Sequence, residues 1–87
     1  MIERDLELRA FAVTVRQFRE QKGSMTQAEL GRRLGMDRTY ITALESGRHN
    51  PTLETIWKLP PVFGVSPERF MRVLGQNYKN LEKGRHD

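Results

Sequence analysis

The segment from Thr26 to Pro51 constrains the fold of this chain most strongly, because it has the pattern of two short helices joined by a tight turn. Thr26, with Glu29 three residues later, fits a capping box at the start of the first helix. Gly35 suits the end of that helix, since a residue without a Cβ tolerates the left-handed backbone of a helix stop. Asp37 is a suitable cap for the second helix. The spacing therefore predicts a helix-turn-helix, in which the second helix has the shape to enter the major groove of DNA.

The other segments also have helical periodicity, and none alternates between polar and apolar residues as a strand would. We therefore predict an all-α domain of five helices over residues 1–82, followed by a disordered tail at residues 83–87. The first three helices are expected at about Asp5–Lys22, Gln27–Leu34 and Arg38–Ser46. The residues that the first helix should bury are Leu8, Phe11, Val15 and Phe18.

The fourth helix should begin after Thr52, and prolines interrupt it. Pro60 and Pro61 each remove a backbone donor and clash with the carbonyl four residues earlier, so we expect the helix to end or kink near Lys58. The fifth helix should begin at Ser66-Pro67-Glu68, which supplies a cap, a proline at the first helical position and an early acidic residue. The residues that the fourth helix should bury are Leu53, Ile56 and Leu59.

The composition limits the classes of function open to the chain. It has 87 residues, a formal net charge of +4 and no cysteine, which excludes disulfides, thiolate zinc sites and cysteine nucleophiles. A basic chain suits an anionic partner, either nucleic acid or a membrane surface. The first residues lack the apolar stretch of a signal peptide, and no run approaches the roughly 20 apolar residues that span a bilayer. We therefore expect a cytoplasmic protein without a membrane partner.

No pattern in the sequence indicates catalysis. Both histidines, His49 and His86, lie in predicted loops, no serine lies beside a plausible base, and no glycine-rich phosphate loop is present. We therefore expect no enzymatic activity, no cofactor, no metal site and no small-molecule ligand. His49 is expected to be exposed to solvent.

The chain from about Val15 to Phe70 contains a set of residues that is typical of one family. The set is Arg16, Arg19, Met25-Thr26-Gln27, Glu29-Leu30, Leu34-Gly35, Tyr40-Ile41, Leu44-Glu45, Gly47, Asn50-Pro51-Thr52-Leu53 and Gly64-Val65-Ser66. Through these residues the chain resembles the lambda-repressor-like (XRE, Cro-type) helix-turn-helix family, which implies a compact DNA-binding domain. Within that family, the segment 37–41 is most similar to the controller proteins of restriction–modification systems.

The chain departs from the family pattern in two places. Family members usually have alanine after Leu30, where the second and third helices approach closely, and this chain has Gly31. The glycine permits the approach but weakens the helix by roughly 1 kcal/mol. Family members also continue the fourth helix where this chain has Pro60-Pro61, which leaves the effect on a dimer surface open.

The resemblance implies a transcriptional regulator that binds double-stranded DNA as a homodimer. Its operator would be pseudo-palindromic, with half-sites about one turn, or roughly 34 Å, apart. The alternative is a protein–protein interaction module, or an antitoxin-type protein that binds a partner, on the same fold. Salt distinguishes the two, because DNA binding weakens with salt by a log–log slope of roughly −0.9 for each phosphate contact.

The third helix should contain the residues that contact DNA bases, which are Arg38, Thr39, Thr42 and Ala43. Arg38 can donate two parallel hydrogen bonds to O6 and N7 of guanine, although a phosphate contact or a free surface position would also explain it. Thr39 has a hydroxyl for a base or a phosphate and a methyl group for thymine. Because Ala43 is short, we expect sparse direct readout and a contribution from DNA shape.

The predicted phosphate contacts come from Thr26, Gln27, Tyr40, Arg48 and Asn50. Gln27 begins the second helix and should donate through its amide, helped by the helix N-terminus. Thr26 can share this contact, although capping alone would explain it. Tyr40 is expected to pack against the core and to reach a phosphate with its hydroxyl. The resemblance to controller proteins implies an alternative, in which Tyr40 contacts bases near the operator centre.

Arg19 and Glu45 have a structural role by the same resemblance. It implies an ion pair between the first helix and the end of the third, which would fix the angle of the reading helix. The alternative is two solvated charges. Removing one partner of a buried pair would leave an uncompensated charge, at a cost of roughly 3–5 kcal/mol.

The fifth helix should present the dimer surface through Met71, Leu74 and Tyr78. These residues exceed what a five-helix core needs, and exposed apolar side chains on a small domain indicate a partner. The alternative is that Leu6 and Leu8 of the first helix cover them.

Overall fold

The computed structural model describes the backbone of residues 2–85 and the side chains of residues 6–84. Its helices are α1 (Ile2–Gln21), α2 (Gln27–Leu34), α3 (Arg38–Glu45), α4 (Leu53–Phe63) and α5 (Pro67–Arg85). No strand occurs in residues 2–85, so the predicted all-α fold of five helices is confirmed. α1 packs against α3, α4 and α5, and α2 packs against α3 and α4.

Side-chain caps decide where four of the helices begin. Each cap accepts a hydrogen bond of 3.0–3.1 Å from the backbone N–H three residues later. These bonds satisfy N–H groups that have no acceptor inside the helix. The capping residues are Thr26, Asp37, Thr52 and Ser66.

The core lies between α1 and the other helices, and phenylalanine rings connect its two ends. Phe18 stacks on Phe63 and Phe70, with ring centroids 5.6 and 5.5 Å apart. Phe11 meets Phe70 edge-on at 6.3 Å. Such pairs add about 0.5–1.5 kcal/mol each beyond the burial of their area. The predicted burial of Phe11, Val15 and Phe18 is therefore confirmed, whereas Leu8 is only half-buried.

Leu53 is an exception, because the prediction that α4 buries it is wrong. Its exposed fraction is 69%. The buried stripe of α4 passes through Thr55, Leu59 and Phe63, which are four residues apart. Leu53 and Trp57 form a different stripe with the same spacing, since residues i and i+4 share a helix face. That stripe faces outward.

α4 continues through the two prolines to Phe63, so the prediction that it ends near Lys58 is wrong. Pro60 and Pro61 cannot donate to the carbonyls of Ile56 and Trp57, which costs two helical hydrogen bonds. Two other features offset that loss. Leu59 and Phe63 are buried in the core at 0% and 5% exposure. The N–H groups that follow the helix also donate back to its last turn, from residue 64 to Pro61 O at 3.1 Å and from residue 65 to Pro60 O at 3.0 Å.

The turn between α2 and α3 passes so close to α2 that only glycine fits at position 31. A Cβ on Gly31 would lie 2.6 Å from the backbone oxygen of Met36. The turn is fixed there because the N–H of Met36 donates to Gly31 O at 2.8 Å. The glycine therefore sets the separation of α2 from the start of α3.

The C-terminal helix is longer than the sequence predicts. α5 continues to Arg85, so residues 83–85 of the predicted tail are helical, and His86 and Asp87 lie outside the described residues. Within residues 2–85, no helix combines the length and the apolar character needed to cross a bilayer.

Candidate nucleic-acid interface

The outward side of α3 contains the four residues predicted to contact bases. Ile41 and Leu44 anchor the helix in the core, at 0% and 1% exposure. Helical geometry directs the other side of α3 away from these two anchors. Arg38 and Thr39 are exposed there, and the remaining two residues are half-exposed. We call this set the recognition face: Arg38, Thr39, Thr42 and Ala43.

The N-terminus of α2 lies next to the recognition face. Thr42 Oγ1 donates to Gln27 Oε1 at 2.9 Å, so the first residue of α2 contacts α3 directly. Thr26 caps the N–H of Glu29, and the N–H groups of Gln27 and Ala28 have no acceptor within the helix. These free donors and the positive end of the helix dipole suit an anion.

A buried ion pair connects α1 to the end of α3. Arg19 Nε and Nη2 donate to Glu45 Oε2 and Oε1 at 2.6 and 2.9 Å, and the side chains are only 12% and 4% exposed. Arg19 Nη1 donates to Met25 O at 2.8 Å. The hydrogen bonds to Glu45 raise the pKa of Arg19 above its usual value, against the opposing effect of burial. The structure thus brings Arg19 and Glu45 together, and the pair orients α3 on α1.

Gln27 takes part in the same hydrogen-bond network. Its Nε2 donates to Glu45 Oε1 at 3.1 Å while its Oε1 accepts from Thr42. The sequence assigned Gln27 to a phosphate and Thr42 to a base, so this contact between them was missed. No local signal could have found it, because the two residues are 15 positions apart and on different helices.

Tyr40 uses its hydroxyl inside the protein. The ring packs against the core, and the hydroxyl donates to Thr55 Oγ1 at 3.3 Å. A phosphate oxygen is an acceptor, so the predicted phosphate contact requires the single Tyr40 proton to leave Thr55.

Arg48, His49 and Asn50 follow α3 in the loop before α4. Arg48 and Asn50 are exposed and available to a ligand. His49 is half-buried, because its ring packs edge-on against Tyr40 with centroids 4.7 Å apart. The expectation that His49 is exposed to solvent is therefore wrong.

The two arginines of α2 are both paired with Glu29 of the same helix. Arg32 Nη2 and Arg33 Nε donate to Glu29 Oε2 at 2.6 and 2.7 Å. The hydrogen bonds from Arg32 and then Arg33 lower the pKa of Glu29 to about 2. These two guanidinium groups are therefore partly neutralised, in contrast to the exposed Arg38.

A second distinctive surface lies between α4 and α5. Leu53, Trp57 and Met71 are 69%, 57% and 53% exposed and surround an apolar groove of about 230 Å³. We call these three residues the α4–α5 surface. Trp57 was missed by sequence reasoning, although its spacing of four from Leu53 signalled a shared face. Of the predicted dimer residues, Met71 lies on this surface, while Leu74 and Tyr78 are half-buried.

A family model described as helix-turn-helix matches residues 15–70, from the middle of α1 to the start of α5. Among the described residues, no group of three or more His, Cys, Asp or Glu side chains is placed to hold a metal ion.

The chain is similar to other proteins in sequence and in structure, among them two curated relatives and one solved structure. A hypothetical transcription factor of Neisseria meningitidis serogroup B is 44% identical over 61 residues, which cover 69% of this chain and 57% of that protein. Control protein C.BamHI of Bacillus amyloliquefaciens is 38% identical over 58 residues, covering 67% and 72%. The restriction–modification controller protein C.Esp1396I superposes with a TM-score of 0.75 and 28% identity, covering 82% of this chain and 92% of that one. The chain thus spans less than two thirds of the Neisseria protein.

Proposed function

The chain belongs to the helix-turn-helix family, and we propose that it is a sequence-specific DNA-binding transcriptional regulator that acts as a homodimer on a pseudo-palindromic operator. One observation carries the proposal: the recognition face of α3 is continuous with the N-terminus of α2 through the Gln27–Thr42 contact. A protein that recognises a sequence in the major groove needs both surfaces, because phosphate contacts position the protein and base contacts specify the sequence.

The residues divide between these two tasks. Arg38 and Thr39 are the exposed, hydrogen-bonding members of the recognition face and contact base edges. Gln27 and the N-terminus of α2 contact one backbone strand, together with Thr26. Arg48 and Asn50 contact the backbone from the far end of α3, so that the phosphates on both sides of the groove are held.

The α4–α5 surface supports a homodimer. An isolated domain of this size gains from burying Leu53, Trp57 and Met71, since aromatic and Met residues are enriched at the centres of interfaces. Pro60 contributes as well, because it lines the same apolar groove as these three residues. A solved complex of C.Esp1396I is described as a tetramer on its natural 35 base-pair operator, and we extend multimeric operator binding to this chain.

Control of restriction–modification genes is the narrower candidate. It is supported by the relatives C.BamHI and C.MunI, which are named control proteins, and by the similarity to C.Esp1396I. Such a regulator works on DNA in the cytoplasm, without a catalytic step of its own.

Selection of bound sequences from random duplex DNA tests the proposal. The enriched sites should show two-fold symmetry with half-site centres about 10 base pairs, or roughly 34 Å, apart. Titrations of a selected site at increasing salt should give a log–log slope of roughly −0.9 for each phosphate contact. A partner-binding protein on the same fold would enrich no sequence. Absence of any complex in dilute buffer would overturn the proposal.

A further inference from the structure

Resting on the proposed DNA-binding function, we propose that Thr42 is a positioning residue that acts through Gln27. Its hydroxyl holds the Gln27 amide in the orientation that offers an N–H to a DNA phosphate. The sequence alone assigns Thr42 to base contact, whereas the structure directs its hydroxyl to a neighbouring helix.

The chemistry of the network determines which way the Gln27 amide points. The Glu45 carboxylate only accepts hydrogen bonds, and it already receives two from Arg19. The end of the amide 3.1 Å from Glu45 Oε1 must therefore be the nitrogen. The amide oxygen faces the other way and needs a donor, which is the Thr42 hydroxyl at 2.9 Å.

The orientation leaves one donor of Gln27 available. A primary amide nitrogen has two hydrogens, and Glu45 accepts one of them. Gln27 is half-buried, so its side chain is restrained on the protein side and still accessible from solvent. Because Gln27 is the first residue of α2, we expect one anion at this helix end to accept from the free side-chain N–H and from the backbone N–H groups that have no acceptor within the helix.

Without the hydroxyl of Thr42, Glu45 would be the remaining hydrogen-bond partner of the Gln27 amide among the described residues. The amide oxygen would then have no donor from the protein, and the side chain would gain freedom that DNA binding has to remove. Thr42 Oγ1 also approaches Arg38 O at 3.1 Å, but one hydroxyl proton serves one acceptor at a time. The bond to Gln27 is the shorter of the two.

Positioning through Gln27 predicts a different pattern of binding from base reading. A phosphate contact carries no sequence information, so loss of the Thr42 hydroxyl should weaken binding to all duplexes by the same factor. The loss should also disappear when Gln27 is absent, because the two residues act as one unit.

The test measures dissociation constants by fluorescence anisotropy for the full chain and four variants: Thr42→Val, Thr42→Ser, Gln27→Ala and the Thr42→Val/Gln27→Ala double variant. Each is titrated with a duplex selected by the wild type and with a scrambled duplex of equal length. Thr42→Val keeps the branched shape and removes the hydroxyl. Thr42→Ser keeps the hydroxyl and serves as the matched control. Thermal melts by circular dichroism identify any variant that loses its fold.

Thr42→Val should weaken binding to both duplexes by about threefold to tenfold, and Thr42→Ser should bind within about twofold of the wild type. In the Gln27→Ala background, Thr42→Val should have no further effect. A changed preference between the duplexes would overturn the inference and assign Thr42 to a base. An undiminished loss in the Gln27→Ala background would also overturn it, because Thr42 would then act independently of Gln27. Equal affinity of Thr42→Val and wild type would also overturn it. Failure of the proposed function looks different, because selection with the wild type would then enrich no duplex.

Discussion

Arg19 on α1 and Glu45 on α3 form a two-bond ion pair, at 2.6 and 2.9 Å, that is almost fully removed from solvent. Replacing one partner leaves the other charge buried and unpaired. We expect Arg19→Met to lower the free energy of unfolding by roughly 3–5 kcal/mol, measured by urea denaturation.

The Arg16–Glu20 pair on α1 is a matched control, since its side chains are 63% and 56% exposed. Arg16→Met should cost only about 0.2–1 kcal/mol. Equal losses for the two arginine variants would contradict the structural role of Arg19.

Gly31 and Gly75 should respond to alanine in opposite directions. A Cβ at Gly31 would approach the Met36 oxygen to 2.6 Å, whereas a Cβ at Gly75 would have no neighbour within 4 Å. We expect Gly31→Ala to destabilise the domain by about 1–3 kcal/mol, because displacing the turn outweighs the gain in helix propensity. Gly75→Ala should stabilise it by up to about 1 kcal/mol. Denaturant unfolding of both variants checks this, and stabilisation by Gly31→Ala would show that the turn moves freely.

Arg38→Ala should relax the preference for one base pair in each half-site. A bidentate arginine–guanine contact contributes about 1–3 kcal/mol of discrimination. Repeating the selection from random duplexes with the variant measures it. Arg72→Ala on α5 removes another exposed arginine and should leave the selected sequence unchanged. If Arg38→Ala weakens every sequence equally, Arg38 contacts a phosphate.

Trp57→Lys should disrupt the proposed homodimer. A charge in the middle of the α4–α5 surface would be desolvated on association, so we expect the dimer dissociation constant to rise at least about tenfold in sedimentation equilibrium. Val13→Lys is the control, because Val13 on α1 is also exposed, at 40%. The same loss in both variants would indicate a general effect of charge, and no loss in Trp57→Lys would place the dimer contact elsewhere.

Glu29 should make the free energy of unfolding depend on pH in the acid range. Its folded-state pKa is lowered to about 2 from an ordinary 4.5, chiefly by hydrogen bonds from Arg32. The stabilisation is fully present above pH 4.5 and is lost as the pH falls towards 2, because the folded state resists protonation more than the unfolded state does. Melting temperatures of the wild type and Glu29→Gln should therefore converge over that range. A constant difference down to pH 2 would contradict the assignment.

The sequence predicts the parts of this fold that depend on neighbouring residues. Thr26, Asp37, Thr52 and Ser66 each act within three positions, so capping chemistry alone identifies the helix starts. Capping and periodicity predicted five helices and a helix-turn-helix, and the structure confirms the five helices. The family was predicted from resemblance to a characteristic residue set, and the match of the family model confirms it.

The errors arose where distant contacts outweigh local preference. The prolines would end an isolated helix, but burial of Leu59 and Phe63 holds the last turn of α4 in place. The contact between Gln27 and Thr42 depends on how two helices cross, which periodicity does not specify. The phosphate contact assigned to Tyr40 stays a prediction, and Thr55 competes for its hydroxyl.

The bonds that tie α3 to α1 and α2 have a consequence for the choice of operator. In the proposed complex, Arg19–Glu45 and Gln27–Thr42 would restrain the tilt of α3, so the DNA would supply more of the adjustment. Bending the DNA between the half-sites would cost less elastic energy at easily kinked steps such as TA or CA than in stiff A-tracts. Base pairs that no side chain touches would thereby help to decide where this protein binds.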